Sequence, residues 1–78
     1  MRSDKLVTEK ELAALAKRFR LAAGKSKAAA ARELGVAPPT LFFAEERPEK
    51  SLTNLRIRMI ERYSKYRVRG PVYLLKEA

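Results

Sequence analysis

Apolar residues near the amino end recur at three- and four-residue steps, the spacing of one face of an α-helix. This face comprises Leu12, Leu15, Ala16, Phe19, Ala22 and Ala23. Thr8 followed three residues later by Glu11 has the capping-box pattern of a helix start. Val7 and Leu12 have the spacing of a hydrophobic staple around that start. The pattern predicts a first helix that begins after Thr8 and ends at Gly24.

A second, shorter helix is predicted from Lys27 to Leu34. Ser26 stands directly before it as a capping residue, and Gly35 follows it as a stop. The four consecutive alanines at 28–31 favour a helix and carry almost no side-chain bulk. Another helix can therefore approach this one closely.

A third helix is predicted from Thr40 to about Glu46, after two consecutive prolines. Because a residue before proline is driven out of the helical region, we expect Pro38 to be extended and Pro39 to be the first helical residue. Phe42 and Phe43 are about 100° apart on such a helix. We therefore expect one of these two rings to be buried and the other exposed.

A fourth helix is predicted after Ser51, which we expect to cap it. The pattern then changes to the alternation of a strand. The apolar face of this helix comprises Leu52, Leu55, Met59, Ile60 and Tyr63. Residues 66–69 then alternate apolar with basic, and residues 72–75 are apolar, which predicts one or two short strands. Since an isolated strand pair is marginal in water, these strands would lie on the helices, pair with Lys5–Val7, or pair with another subunit.

Composition limits the chain to one small domain, residues 1–78, and to few kinds of chemistry. It has 78 residues and neither cysteine nor histidine. A disulfide scaffold, a thiolate zinc site and a cysteine nucleophile are thereby excluded, as is the commonest general base. We expect a protein without catalysis, metal or cofactor.

The lack of a signal peptide and of an apolar run near 20 residues indicates a cytoplasmic protein that does not enter the membrane.

The charge balance points to an acidic partner. Lysine and arginine number 18 against 9 acidic residues, a net charge of +9. Nucleic acid is the first candidate for that partner and an anionic membrane surface the second. Residues 56–69 alone contain six basic residues and one acidic residue. A charge run of this kind is either a solvated face or a phosphate-binding surface.

Two short helices joined by a tight glycine-containing turn have the helix-turn-helix arrangement, which residues 26–46 fit. The stretch from Leu12 to Tyr63, roughly two thirds of the chain, resembles the lambda-repressor-like helix-turn-helix family of Cro and phage-repressor regulators. The resemblance is carried by Arg20, Gly24, Lys25, Ser26, Lys27, Ala31, Leu34, Gly35, Val36, Thr40, Leu41, Glu45, Pro48 and Leu52.

Family resemblance implies a mainly α fold: a four-helix lambda-repressor-like domain with a short C-terminal β element. It implies that the third helix lies in the major groove of DNA. The base-facing positions would be Pro38, Pro39, Thr40 and Phe43, and the phosphate-binding positions Ser26, Lys27, Arg47, Lys50, Arg56 and Arg58. Arg20 and Glu45 would form an ion pair that braces the first helix against the third.

The apolar C-terminal segment, about residues 66–76, either completes a small core or forms a dimer interface. Its members are Tyr66, Val68, Val72, Tyr73, Leu74 and Leu75. A homodimer would match the two-fold symmetry of the operators that this family commonly binds.

The resulting expectation is sequence-preferring binding of double-stranded DNA by a small prokaryotic or phage transcriptional regulator, a repressor or an antitoxin-like autorepressor. The main departures from the family pattern are prolines at 38 and 39, where polar residues are usual, and phenylalanines at 42 and 43, where small or polar residues are common. Lys27 and Lys25 also replace a common glutamine and a common apolar residue. These departures support an alternative, a helix-turn-helix-derived protein-interaction module that binds nucleic acid only non-specifically. A basic RNA-binding accessory protein is a weaker rival, supported by charge alone.

Overall fold

A computed structural model describes residues 5–69 and 74–77, and the side chains of residues 7–68. The chain is mainly helical, as predicted, with short strands near both ends. In chain order the elements are β1 (Lys5–Leu6), α1 (Glu9–Ala22), α2 (Lys27–Leu34), α3 (Pro38–Glu46), α4 (Thr53–Tyr63), β2 (Tyr66–Arg69) and β3 (Leu74–Glu77). None of the helices in these ranges is both long enough and apolar enough to span a bilayer.

The start of α1 has the predicted capping box. The backbone N–H of Glu11 donates to Thr8 Oγ1 over 3.2 Å, and the Thr8 N–H donates to Glu11 Oε1 over 2.9 Å. Val7 and Leu12 are both buried, as a hydrophobic staple requires. The helix ends at Ala22, and Gly24 then takes the left-handed conformation with φ +71°.

Both ends of α2 also match the sequence prediction. Ser26 Oγ accepts the N–H of Ala29 over 3.0 Å, and Gly35 follows the last turn with φ +71°. Because L side chains rarely adopt that conformation, a glycine is favoured there. Ala30 and Ala31 are buried, so the helix packs through residues of minimal bulk.

The third helix differs from the prediction in two respects. It begins at Pro38 rather than Pro39, because Ala37 takes the extended conformation and neither proline nitrogen is needed as a donor in a first turn. Phe42 and Phe43 are both exposed, at 40% and 36%, so the expectation that one is buried is wrong. The inward face of α3 is occupied by Leu41, Ala44 and Glu45, which leaves both rings on the other side.

The start of α4 is held by another helix rather than by Ser51, whose predicted capping role is wrong. The cap position is Leu52, which has no side-chain capping bond. Glu9, in the first turn of α1, instead accepts Thr53 Oγ1 over 2.7 Å and Arg56 Nη1 over 2.9 Å. A local pattern cannot reveal a partner so far away in sequence.

The three strands form one antiparallel sheet in the order β1-β3-β2. Lys5 pairs with Leu75 and Val68 also pairs with Leu75 from the other side. The sequence left open whether the C-terminal strands pair with Lys5–Val7 or with another subunit. In the structure β3 pairs within the chain, with Lys5–Leu6 on one side and with β2 on the other. The final strand lies at Leu74–Glu77, two residues later than predicted. The Tyr66 ring contacts Phe19 of α1, with centroids 5.7 Å apart, which places β2 on the helices.

One small core joins the elements. Its buried members are Val7, Leu12, Ala16, Ala30, Ala31, Leu34, Leu41, Ala44, Leu55, Met59 and Ile60. Four of these eleven are alanines, so the helices lie close together and little side-chain volume fills the interior. A core of this kind needs polar interactions to fix the relative positions of its short helices.

Arg56 supplies the most extensive of these interactions. Its side chain is fully buried. Nε donates to the Ala44 carbonyl over 2.8 Å, Nη2 to the Arg47 carbonyl over 2.7 Å, and Nη1 to the Lys50 carbonyl over 3.1 Å as well as to Glu9. One guanidinium thus satisfies the carboxyl end of α3, fixes the loop that follows it and binds an acid of α1.

We expect Arg56→Ala to lower the free energy of unfolding by about 3 kcal/mol or more, because it leaves three carbonyls without this donor and Glu9 without its cationic partner. Urea denaturation followed by circular dichroism measures this. The matched control is Arg58→Ala, which removes an exposed arginine that donates to the Leu34 carbonyl and should cost about 1 kcal/mol. Equal effects of the two substitutions would contradict the role assigned to Arg56.

Candidate nucleic-acid interface

The outer face of α3 is open to solvent along its length. Pro38 and Pro39 are exposed in the first turn, Thr40 is half-buried, and Phe43 follows one turn later. These are the four positions that the sequence predicts to face bases, and the structure brings them together on one helix. Phe42, which is not among the predicted base-facing positions, lies beside them.

An aromatic pair lies at the centre of this face, flanked by two lysines. The Phe42 and Phe43 ring centroids are 5.8 Å apart, with an interplanar angle of 65°. Lys27 Nζ lies 5.1 Å from the Phe42 centroid, and Lys50 Nζ lies 5.4 Å from the Phe43 centroid. We call these four residues the lysine–phenylalanine strip. It joins α2, α3 and the loop after α3.

Four of the six predicted phosphate-binding residues lie around α3. Ser26 caps α2 and Lys27 begins it, at the helix end that carries partial positive charge. Arg47 and Lys50 are in the loop after α3, and both are exposed. Arg47 forms a loose ion pair with Glu49, with Nη1 and Oε2 3.6 Å apart. Cationic groups thus border the outer face of α3 at two places.

The other two predicted phosphate-binding residues are placed differently. Arg56 is buried and bonded to protein acceptors, so the expectation that it contacts a phosphate is wrong. Arg58 is exposed, but it donates to the Leu34 carbonyl at the carboxyl end of α2 over 2.8 Å. Since Lys27 begins that helix, Arg58 lies at the opposite end of α2 from the strip.

A buried ion pair sets the orientation of α3. Arg20 Nε donates to Glu45 Oε2 over 2.5 Å and Nη2 donates to Oε1 over 3.0 Å, the bidentate geometry that arginine and carboxylate prefer. Arg20 Nη1 also donates to the Lys25 carbonyl over 2.7 Å. The ion pair expected from the sequence is formed, and it connects α1, α3 and the turn between α1 and α2.

A second ion pair joins the same two helices at the surface. Lys17 Nζ lies 2.7 Å from Glu46 Oε2. The Lys17 hydrogen bond lowers the pKa of the Glu46 carboxyl below its usual range. Both carboxylates at the end of α3 therefore point toward α1, so α3 itself places no acidic side chain on its outer face.

The proposed dimer residues are only partly described. Tyr66 and Val68 are half-buried against the core of their own chain. Val72, Tyr73 and the side chains of Leu74 and Leu75 lie outside the described residues.

The backbone of β2 has partners within the chain. The Tyr66 N–H donates to Ser64 Oγ over 3.1 Å, and the Val68 N–H donates to Glu61 Oε2 over 3.0 Å. These two groups are therefore not free to pair with a strand of another subunit. A dimer through this end of the protein remains a prediction.

A cluster around Glu33 joins α2 to α4, beside an open surface cleft. Glu33 accepts Lys25 Nζ over 2.8 Å, the Tyr63 hydroxyl over 2.6 Å and Arg62 Nε over 3.3 Å. The hydrogen bond from Lys25, followed by that from Tyr63, lowers the pKa of Glu33 to about 2. Burial, and then the Glu33 carboxylate, raise the pKa of Tyr63. Lys25 and Arg62 thus have an acid of their own chain as partner.

This cluster predicts a pH-dependent contribution to stability. Because folding lowers the pKa of Glu33 from 4.5 to about 2, its contribution is complete above pH 4.5 and is lost as the pH falls through about 2. Glu33→Gln should lower the melting temperature at pH 7 and have progressively less effect toward pH 2, as measured by thermal denaturation. Glu49→Gln, at the loose pair with Arg47, is the control. A Glu33→Gln effect of the same size at both pH values would contradict the prediction.

Within the described side chains, no group of three or more acidic, histidine or cysteine residues is placed to hold a metal ion. Comparisons of the chain with protein-family models, with curated proteins and with solved structures find no match. The functional interpretation therefore depends on the geometry and charge of the surface around α3.

Proposed function

We propose that this protein binds double-stranded DNA as a small transcriptional regulator of the lambda-repressor-like helix-turn-helix type. In this proposal α2 and α3 are the helix-turn-helix, and α3 lies in the major groove. The observation that carries the proposal is the exposed outer face of α3, which has Lys27 at one border and Lys50 at another.

The way in which α3 is held supports this role. Two ion pairs, from Arg20 to Glu45 and from Lys17 to Glu46, hold its acidic end against α1. Arg56 binds the Ala44 carbonyl within α3 and the Arg47 carbonyl directly after it. A helix that enters a groove must keep its outer face in one orientation, and contacts of this kind fix that orientation before DNA is bound.

The surrounding charge supports contact with the DNA backbone. A net charge of +9 favours association with a polyanion. Near α3 the basic side chains of Lys27, Arg47 and Lys50 extend from structured positions, and the start of α2 adds its helix dipole. Phosphate contacts of this kind position a protein on the duplex without carrying sequence information themselves.

Direct hydrogen bonding to bases is limited on this surface. Among the outward residues of α3, Thr40 alone carries a side-chain hydrogen-bonding group; Pro38, Pro39, Phe42 and Phe43 have none. One domain would therefore distinguish few base pairs by hydrogen bonds.

A homodimer, which we include in the proposal, doubles the contacts and gives a near-palindromic site. The protein would act in the cytoplasm by occupying an operator, without catalysis or a cofactor.

Selection from a random duplex library tests the proposal. We expect a near-palindromic motif, with affinity on the order of 10³ above that for scrambled DNA at physiological salt. Thr40→Ala should weaken binding to the motif and leave binding to scrambled DNA unchanged, because only the base contact is lost. Lys27→Ala should weaken both and reduce the salt slope by about 1. Fluorescence anisotropy at several salt concentrations measures these effects.

The matched control is Arg67→Ala, which removes one exposed positive charge from β2. It should leave specific binding nearly unchanged. If selection gives no motif and every basic-residue variant weakens binding alike, DNA-sequence recognition is excluded.

That outcome would favour the second candidate, a protein-interaction module that keeps the helical scaffold and binds nucleic acid only non-specifically. One observation favours it: two phenylalanines in mutual contact are exposed on one helix. Exposed aromatic side chains are enriched where proteins bind one another.

A further inference from the structure

The outer face of α3 is chemically suited to one kind of base edge. Its exposed groups are the rings of Phe42 and Phe43 and the prolines before them, and all are apolar. In the major groove, the C5-methyl group of thymine is the apolar group that bases present. We propose that Phe42 and Phe43 pack against the methyl groups of adjacent thymines, while Lys27 and Lys50 bind the flanking phosphates. This inference rests on the proposed DNA-binding function.

The spacing of the two rings suits neighbouring bases. Their centroids are 5.8 Å apart, between one and two steps of about 3.4 Å along a DNA strand. Because the ring planes are inclined by 65°, the two rings present different edges rather than one flat surface. Two methyl groups on successive thymines fit such a surface.

The two lysines are placed to reach phosphates on either side of the rings. Lys27 is the first residue of a capped helix, and the Lys50 carbonyl is held by buried Arg56. Their ammonium groups lie over the Phe42 and Phe43 rings, 5.1 and 5.4 Å from the centroids. An exposed cation–π contact is weaker than a charge-assisted hydrogen bond to phosphate. DNA can therefore draw each ammonium group away from its ring.

The same geometry disfavours stacking on unpaired bases. Single-strand binding uses aromatic faces that successive bases can cover. Here each ring has a lysine ammonium over it, and the rings meet edge to face. The strip therefore fits the groups that project from a duplex better than the flat faces of free bases.

Removing the methyl groups alone tests the inference. The probes are a 20-base-pair duplex of AATT repeats, in which successive thymines occur on both strands, and the same duplex with deoxyuridine for thymine. A second pair of probes is a duplex of GGCC repeats with cytosine or with 5-methylcytosine. We expect the thymine duplex to bind more tightly than the deoxyuridine duplex, by about fourfold for each methyl group buried. The 5-methylcytosine duplex should exceed its cytosine counterpart in the same direction.

Variants test whether the preference for methylated duplexes comes from the lysine–phenylalanine strip. The double substitution Phe42→Ser and Phe43→Ser should bring the thymine-to-deoxyuridine affinity ratio close to one while weaker duplex binding persists. Lys27→Gln with Lys50→Gln should weaken binding to both duplexes equally and keep the ratio. Leu21→Ser is the control: it removes a large apolar side chain that is 57% exposed on α1 and should leave the ratio unchanged. Circular dichroism verifies that each variant is folded.

The possible outcomes separate this inference from the function on which it rests. If the protein selects a duplex motif but binds thymine and deoxyuridine duplexes equally, the methyl contact is excluded and DNA binding stands. A methyl preference that persists in the double serine variant likewise excludes these two rings. Tighter binding of single-stranded oligothymidine than of the duplex would overturn the inference in favour of stacking. No duplex binding at all would overturn both proposals.

Discussion

Two buried arginines, Arg20 and Arg56, hold this structure together. A core in which four of eleven buried residues are alanines brings short helices close, but offers few bulky contacts to fix their angles. A buried guanidinium is costly unless every donor has a well-placed acceptor, so it permits few arrangements of its surroundings. Arg20 binds Glu45 and the turn after α1, and Arg56 binds the carbonyls at the end of α3 and Glu9. Together they determine where α3 lies.

The position of α3 determines what the surface presents. With its acidic residues, Glu45 and Glu46, held by α1, the opposite side of the helix carries prolines and phenylalanines and no carboxylate. Four of the basic residues show two contrasting roles. Arg20 and Arg56 act inside the fold, whereas Lys27 and Lys50 lie at the borders of an apolar surface. In the lysine–phenylalanine strip, apolar rings lie between two cations. The major groove of DNA offers thymine methyl groups on its floor and phosphates along its walls. This complementarity underlies the proposed DNA binding and the proposed thymine contact.

Local patterns predicted what depends on local contacts. The capping box at Thr8, the cap at Ser26 and the glycine after α2 involve residues within a few positions of one another, and all were predicted. The assignment of Arg56 to a phosphate failed, because an arginine beside an apolar helix face looks like a surface residue until distant carbonyls are placed around it. The predicted Ser51 cap of α4 was wrong for the same reason, because Glu9 of another helix binds the first turn of α4 instead. The exposure of both phenylalanines follows from Leu41, Ala44 and Glu45 filling the inward face of α3, which only the packed structure reveals.

The most direct test of the interface is an NMR titration of ¹⁵N-labelled protein with a short duplex that contains the selected motif. We expect the largest amide shift changes at the start of α2, along α3 and in the loop around Lys50, with small changes in β2 and the second half of α4. That pattern would locate DNA on the outer face of α3. Changes concentrated in β2 and around Arg62, with α3 unaffected, would contradict the assignment of the interface and move nucleic-acid binding to β2 and the end of α4.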